Sequence, residues 1–387
     1  MFQKKKFASI QKRIKLFILP SLLFLVCFFV YSILFKTYET RQRQLTDFEQ
    51  NAEVERKNSI KASSAKVYYS GTYWNDYDKV QEYLNNAISN NIYTDWVGQL
   101  YLWKSSKNII FKKALILSCG NGWVERMLIK RGIIESAVGI DVNDDLLLQA
   151  KLSAKGLPIR YYHFDSNLED KFPESGYDIV INHAALHHVA YIDFHIRAIY
   201  NILQREGGIL VNYDYVGPHR NQYSMDTWKA LNYVNELSAP EFRHKELKYP
   251  HLPTMLLMDP SEAVHSELIK PTLNRYFDPL VSISLGGAIA YPLLTHNHNL
   301  QESYNTDKTA ANKHIEFLLG EDVKYTKKNM DSELFWYSIM QVKRNLKEED
   351  LSQWTGIEVQ RENLAKNKSG VYYTFTTAYR ESYQENL

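Results

Sequence analysis

The stretch from Lys113 to Asp141, KALILSCGNGWVERMLIKRGIIESAVGID, decides the reading of this chain. Ala114 to Leu117 is an apolar run of strand length, and it breaks at Ser118-Cys119-Gly120-Asn121-Gly122. A helical pattern follows, with Val124, Met127 and Leu128 on one face. A second apolar run, Ala137 to Ile140, ends in Asp141. Strand, glycine turn, helix, strand and acid together make a βαβ unit that holds a nucleotide-like ligand at the carboxyl end of a parallel sheet. Glycine lets the backbone approach such a ligand with no Cβ between them. Asp141, nineteen residues after Gly122, stands where a carboxylate can accept both hydroxyls of a ribose.

The same stretch narrows the nucleotide. A dinucleotide fingerprint needs a third small residue where the helix packs on the strand. Glu125 occupies that place, which opposes an NAD-dependent dehydrogenase. The stretch resembles motif I of class I S-adenosylmethionine-dependent methyltransferases. Two positions depart from that pattern: the usual acid ahead of the loop is Ile116, and the first glycine is Ser118.

Outward from this unit the alternation continues. Leu147, Ala150 and Ala154 mark a helix, and Ile159 to Phe164 a third strand ending at Asp165. Tyr177 to Ile181 is a fourth strand; a helix with Val189, Ile192, Ile196, Ile199 and Leu203 on one face follows it. Gly207-Gly208 turns into a fifth strand, Ile209 to Tyr213. Val281–Leu285 and Phe335–Val342 read as two more, with a helix Ala310–Leu319 between them. The expected fold class is α/β: a doubly wound, mostly parallel seven-stranded Rossmann-like sheet. Residues 218–275 carry Pro240, Pro250, Pro253, Pro260 and Pro271 among helical pieces such as Met225–Leu237 and Ser261–Leu273. They are expected to form a helical cap insertion over the substrate. Residues 67–105, rich in Trp and Tyr, read as a pair of helices on the front of the sheet.

The 387-residue chain has Lys+Arg 46 against Asp+Glu 44, so charge suggests no general nucleic-acid partner. Two cysteines, Cys27 and Cys119, give no disulfide framework. Leu16 to Phe35 is a run of twenty uncharged residues, enough to cross an apolar core of about 30 Å. Lys4, Lys5, Lys6, Lys12, Arg13 and Lys15 precede it, against Lys36, Arg41 and Arg43 after it. That bias favours a cytosolic amino terminus. A cleaved signal peptide is the rival reading, but the apolar region is unusually long for one and no small-x-small site follows Phe35, so an uncleaved single-pass anchor is expected. The expected organisation is a basic tail 1–15, a transmembrane helix 16–35, a stalk 36–66, a methyltransferase domain 67–343 and a tail 344–387. The side of the membrane stays open, because the cofactor is made in the cytosol and the charge rule puts the domain across from it.

Candidate site residues fall at strand ends facing one crevice. For the cofactor these are Ser118, Cys119, Gly120, Gly122, Asp141, Val142, Asp165, Ser166, Asn182 and His183. The segment YDIVINHAALHHV looks like the region that lies beside the methyl acceptor in small-molecule methyltransferases. His187, His188 and Asp214 are the candidate bases for an acceptor hydroxyl. Past the fifth strand, Tyr215-Val216-Gly217-Pro218 resembles the turn of a bacterial-type group that also shows a segment like Asp259-Pro260-Ser261-Glu262-Ala263-Val264-His265-Ser266 and a pair like Gly286-Gly287. Tyr215 and Arg220 are candidate substrate contacts. No cysteine or histidine spacing suggests a metal. The Asp/Asn-Pro-Pro-aromatic box of DNA base methylation is absent from the sequence, so nucleic acid is not the expected acceptor.

The resemblance implies methyl transfer from S-adenosyl-L-methionine; the anchor and the cap point to a small-molecule, lipid or glycan acceptor near a membrane, expected to be methylated at oxygen. The altered motif start leaves a second reading: an inert domain of the same fold acting as a membrane-tethered interaction module. Sequence gives no oligomeric state.

Overall fold

The computed structural model describes residues 72–346, except 168, 205–206, 253–254, 256–258, 260 and 345. The expected span 16–35, the stalk 36–66 and almost all of the tail 344–387 therefore lie outside the described residues. Among the described residues no helix is long and apolar enough to cross a membrane.

Strands β1 (Phe111–Ile116), β2 (Ile134–Asp141), β3 (Ile159–His163), β4 (Ile179–His183), β5 (Ile209–Tyr215), β6 (Phe277–Gly286) and β7 (Phe335–Val342) form one seven-stranded sheet in the order β3-β2-β1-β4-β5-β7-β6. β1 to β5 pair in parallel, and β7 runs antiparallel between β5 and β6. Strand order reverses between β1 and β4, which opens a crevice at their carboxyl ends. The central strands are covered on both faces, which is why they read as unbroken apolar runs.

Alternation along each strand divides the core between two layers. Leu115, Val138, Val180 and Leu210 pack with Ile192, Ile196, Ile199 and Leu203 of α5 (Ile192–Gln204) and with Ile269 and Leu273 of α7 (Ile269–Tyr276). Ala114, Ile116, Ala137, Ile181 and Val211 face the other side. There they meet α1 (Asp78–Ser89), α2 (Trp96–Ser106), α3 (Trp123–Lys130) and α4 (Asp144–Ser153) through Val80, Leu84, Val97, Leu100, Val124, Leu128 and Leu147. Each such side chain contributes roughly 1.5–3 kcal/mol by leaving water. The remaining helices are α6 (Met225–Leu237), α8 (Ala290–Leu294), α9 (His298–Thr306) and α10 (Lys308–Lys328). α8 and α9 have no counterpart in the sequence reading.

Several boundaries move for identifiable reasons. The fourth strand runs to His183 rather than Ile181, because Asn182 and His183 continue the ladder opposite Asn212 and Tyr213. The sixth strand begins at Phe277, with Pro279 tolerated since β6 lies at the sheet edge. The helix expected at 310–319 extends over Lys308–Lys328.

The largest correction concerns Ser261–Leu273. The chain there is turn and a single 3-10 turn, Ser266–Leu268, before α7 starts at Ile269 with Pro271 in its first turn. Tertiary partners take the backbone groups that a helix would have used. Arg220 N donates to the Ala263 carbonyl at 2.7 Å, and Val264 N to the His187 carbonyl at 2.8 Å. The Asp259 carboxylate accepts from Ser261 N at 2.9 Å, an Asx turn. α7 packs on α5 and belongs to the sheet layers, so residues 269–275 lie with the sheet rather than in an insertion.

The Gly286-Gly287 pair has a mechanical explanation. Gly286 sits at φ +68° and Gly287 at φ +101°, and the buried Asp322 carboxylate accepts from the N–H groups of Gly287, Ile289 and Ala290 at 2.6–3.1 Å. A Cβ on Gly286 would meet Asp322 Oδ2. Gly286→Ala is expected to destabilise the fold by at least roughly 1–2 kcal/mol from the left-handed backbone alone. Chemical denaturation measures this, and an unchanged midpoint would show that the turn relaxes freely.

Candidate active site

At the carboxyl ends of β1 and β2, Ser118 (φ +39°), Gly120 (φ +55°) and Gly122 (φ +77°) form a tight loop in left-handed conformations. Asp141 ties it down. Its Oδ2 accepts from Gly120 N at 2.8 Å, and its Oδ1 from Asn143 N at 2.8 Å. Burial raises the Asp141 pKa against the pull of these donors and of nearby His188. Val142, the next residue, is exposed. Cys119 is buried behind the loop, its thiol pKa pushed up by burial.

Glu125, read in the sequence as an obstacle to a pyrophosphate, lies fully buried beneath the same loop. Its carboxylate and the Tyr161 hydroxyl press against Gly122, where a Cβ would have no room. Burial lifts Glu125 from its ordinary 4.5 to about 7, a gap worth roughly 3 kcal/mol. The unfolded chain gives up this proton near 4.5 and the folded chain near 7, so stability falls as pH climbs through that window. Glu125→Gln should remove that slope. Urea midpoints of the two proteins between pH 4.5 and 7 check it, and parallel curves would refute it.

Asp165 and Ser166 are half-buried at the end of β3. Asp165 Oδ1 accepts from Asn167 N at 2.8 Å, and Asn167 Oδ1 accepts from Ala190 N at 2.7 Å. Asn182 is fully buried, its amide donating to Asn212 Oδ1 at 2.6 Å and Asp214 Oδ2 at 2.8 Å. It holds β4 to β5 instead of facing a ligand. His183 is ringed by Trp96, Trp123 and Tyr213 at centroid distances of 5.1–5.3 Å. Burial lowers its pKa to about 4, which keeps it neutral at physiological pH.

The three candidate bases come together. His187 Nδ1 donates to Asp214 Oδ1 at 2.6 Å. Burial by itself would depress His187, but the Asp214 carboxylate outweighs it and lifts the imidazole to about 9. Asp214 is 1% exposed, and its oxygens also accept from Asn182, Ala185 N, Leu186 N and Tyr215 N. It therefore reaches the crevice only through His187. His188 Nδ1 contacts Ser261 Oγ at 3.0 Å, and the Ser261 hydroxyl donates to Asp259 Oδ1 at 2.7 Å. Ser261 then accepts from His188 Nδ1–H, which leaves the His188 Nε2 lone pair available.

Of the two candidate substrate contacts, Tyr215 lines this region with its ring 6.5 Å from that of His187. Arg220 is buried, and its guanidinium donates to the Asp259 and Glu262 carbonyls at 3.4 Å. It shapes the loop that bears Glu262 and does not present its charge to the crevice. Glu262 itself was missed. Its charge is felt, after burial, by the phenols of Tyr73, Tyr215, Tyr223 and Tyr291, all raised in pKa and so protonated hydrogen-bond donors at neutral pH. Trp96 and Trp123 beside His183 were missed too. The aromatic richness of 67–105 and the Asp259–Ser266 segment were visible signals, but neither marks which residue turns inward.

Residues 115–211 match the model of a family described as a methyltransferase domain. Uncharacterized methyltransferases of Mycobacterium tuberculosis and Mycobacterium bovis are 25% identical over 138 residues, covering 35% of this chain and 68% of theirs. Residues 115–211 therefore carry a methyltransferase domain, and the seven-stranded sheet around it supports the class I S-adenosylmethionine-dependent type. Solved structures similar to this methyltransferase include the StiE O-MT domain, at 12% identity, 84% of this chain, 96% of that one and a TM-score of 0.38. Another is Haemonchus contortus phosphoethanolamine N-methyltransferase 2 in complex with S-adenosyl-L-methionine, at 17% identity, 73% of this chain, 59% of that one and a TM-score of 0.37. Similarity of that degree carries no argument about the acceptor.

Proposed function

We propose that this methyltransferase binds S-adenosyl-L-methionine over the 118–122 loop and methylates an oxygen of a small-molecule, lipid or glycan acceptor while tethered to a membrane by residues 16–35. The observation that carries the reading is the clasp of Asp141 on Gly120 N, beside His188 at the sheet's switch point. The residues present fit the cofactor: a loop too close-packed at Gly122 for a side chain, a carboxylate at the end of β2 for the ribose, and exposed Val142 beside it for the adenine. Asp165 and Ser166 stand at the next strand end for the exocyclic amine, with His183 and Trp123 toward the methionine half.

The cofactor supplies a methyl carbon already made electrophilic by the adjacent sulfonium. The chain's own task is alignment and removal of a proton. Protonated Tyr73, Tyr223 and Tyr291 orient the acceptor by hydrogen bonds, while the Tyr215 hydroxyl donates to the Pro218 carbonyl and its ring walls the crevice. The proton of an acceptor hydroxyl passes to His188, whose Nε2 offers a fixed lone pair, while His187, kept protonated at neutral pH by Asp214, stands beside it as a donor.

Incubating the chain with methyl-labelled cofactor and extracted membrane lipids and glycans tests the reading. Label in an organic-extractable or glycan fraction supports it, and label in none sinks it. The buried, uncharged Ile116 favours the second reading, an inert module, because no carboxylate stands ahead of the loop. Calorimetric titration with S-adenosylmethionine separates the two, since the inert module gives no heat at high micromolar ligand.

A further inference from the structure

Three atoms of ligand type converge beside the acceptor crevice: His187 Nε2, His188 Nε2 and Glu262 Oε2, all within 4.8 Å of one another. Glu262 Oε2 is 3.8 Å from His187 Nε2 and 3.9 Å from His188 Nε2. We propose that these three residues hold a divalent transition-metal cation.

The second nitrogen of each ring is already committed. Asp214 can only accept, so His187 Nδ1 is its donor, and Ser261, whose own hydrogen goes to Asp259, accepts from His188 Nδ1. Both imidazoles are thus held with Nε2 pointing toward Glu262. Metal-ligating histidines characteristically donate their other N–H to a carboxylate or another acceptor, which fixes the ring and raises its basicity. Two imidazoles and one carboxylate with open positions suit Zn²⁺, Mn²⁺ or Fe²⁺, and suit Mg²⁺ poorly. Ligand atoms about 2.1 Å from a cation lie roughly 3.0–3.5 Å apart, so the half-exposed Glu262 moves by less than about 1 Å toward the two rings, and the imidazoles, within 4.8 Å of each other, close on the cation by at most about 1 Å each.

The loops that bring these residues together are braced for the purpose. Ala184 and Ala263 occupy left-handed conformations at φ 53° and 52°, and Val264 N holds the His187 carbonyl. Strain of that kind costs of order 1–3 kcal/mol per residue and persists where surroundings enforce it. Sequence spacing could not reveal the site, since His188 and Glu262 are far apart in the chain. The consequence for catalysis rests on the methyltransferase reading: a cation here would take up the His188 Nε2 lone pair in place of its role as base, hold an acceptor oxygen in an open position and acidify its hydroxyl, whose proton would then pass to solvent water.

The test is calorimetry on the detergent-solubilised full chain after chelator treatment, with Zn²⁺, Mn²⁺ and Mg²⁺ as separate titrants. We expect one Zn²⁺ or Mn²⁺ per chain and much weaker Mg²⁺ binding. Glu262→Gln and His188→Ala should each weaken binding at least about 100-fold, and Ser261→Ala, which removes the acceptor of the His188 ring and one donor to Asp259, about tenfold. Thermal melts of all variants in chelator should match the parent, which excludes unfolding as the cause. Absence of heat overturns the proposal. So does binding that persists in Glu262→Gln and His188→Ala, which would place the cation at the separate His219, His265 and Glu267 group or elsewhere. S-adenosylmethionine titrated in parallel distinguishes the failures: cofactor heat without cation heat removes the metal alone, and cation heat without cofactor heat removes the methyltransferase consequence alone.

Discussion

Asp141→Ala is expected to reduce affinity for S-adenosylmethionine and its homocysteine product by at least about 100-fold while leaving the sheet folded. The carboxylate has two tasks. It clasps Gly120 N and Asn143 N, which fixes the loop between the ends of β1 and β2, and it offers its remaining lone pairs to a ribose. Hydrogen bonds to a charged group are worth about 1.5–3 kcal/mol each, so losing two ribose contacts corresponds to roughly 3–6 kcal/mol. About 1.4 kcal/mol is a tenfold change in affinity, which gives the stated minimum even after partial compensation by water. The cost to the fold is smaller, because Asn143 keeps its own cap on α4 through Asp145 N and Leu146 N. Calorimetric titration with the product, alongside circular dichroism, reads both effects. Normal affinity in a folded Asp141→Ala protein would show that the ribose lies elsewhere.

The difference between what the sequence disclosed and what it hid follows from the range of the interactions involved. The βαβ unit was legible because its signals are local: an apolar run, glycines in left-handed conformations and an acid at a fixed distance. Leu115, Val138 and Val180 are buried on a doubly covered sheet, so their strands read as apolar runs with only shifted ends. Ser261–Leu273 misled for the opposite reason. Its helical pattern was outcompeted by tertiary partners, the carbonyl of His187 and the backbone N–H of Arg220, which no local pattern encodes. The site was half visible in the same sense. His187, His188 and Asp214 were singled out because they follow strands. Glu262 was passed over because its segment lies in a loop whose inward turn depends on left-handed Ala263. The tyrosine excess had no local explanation either. Tyr73, Tyr215, Tyr223 and Tyr291 come from four separate segments and feel the same Glu262 charge only once the fold has brought them near it.

Asp214→Asn and Asp214→Ala should separate the two roles of this buried acid. In the native site one carboxylate gathers His187 Nδ1, Asn182 Nδ2 and the N–H groups of Ala185, Leu186 and Tyr215 at 2.6–3.3 Å. Alanine deprives His187 Nδ1 and the N–H groups of Ala185 and Tyr215 of this buried acceptor, while Asn182 Nδ2 keeps Asn212 Oδ1 and Leu186 N keeps Asn182 Oδ1. Removing one partner of a buried charged network typically costs about 3–5 kcal/mol, so this variant should melt well below the parent. Asparagine is nearly isosteric but brings its own donors into a cluster of donors, so it keeps part of the network and denies His187 a carboxylate. The imidazole then loses the partner that sets its orientation and tautomer. We expect Asp214→Asn to lower kcat for methyl transfer by roughly 10²–10⁴-fold, the usual range for a proton-handling group put out of alignment. Cofactor affinity should stay within a few fold of the parent, because the clasp of Asp141 on the 118–122 loop is independent of Asp214. The split is the diagnostic: a scaffold role alone would lower the melting temperature of both variants and leave kcat per folded molecule unchanged. A fall in kcat at constant cofactor affinity requires that Asp214 act on the reacting group through His187. Should asparagine preserve kcat, the proton must leave by a route that bypasses His187.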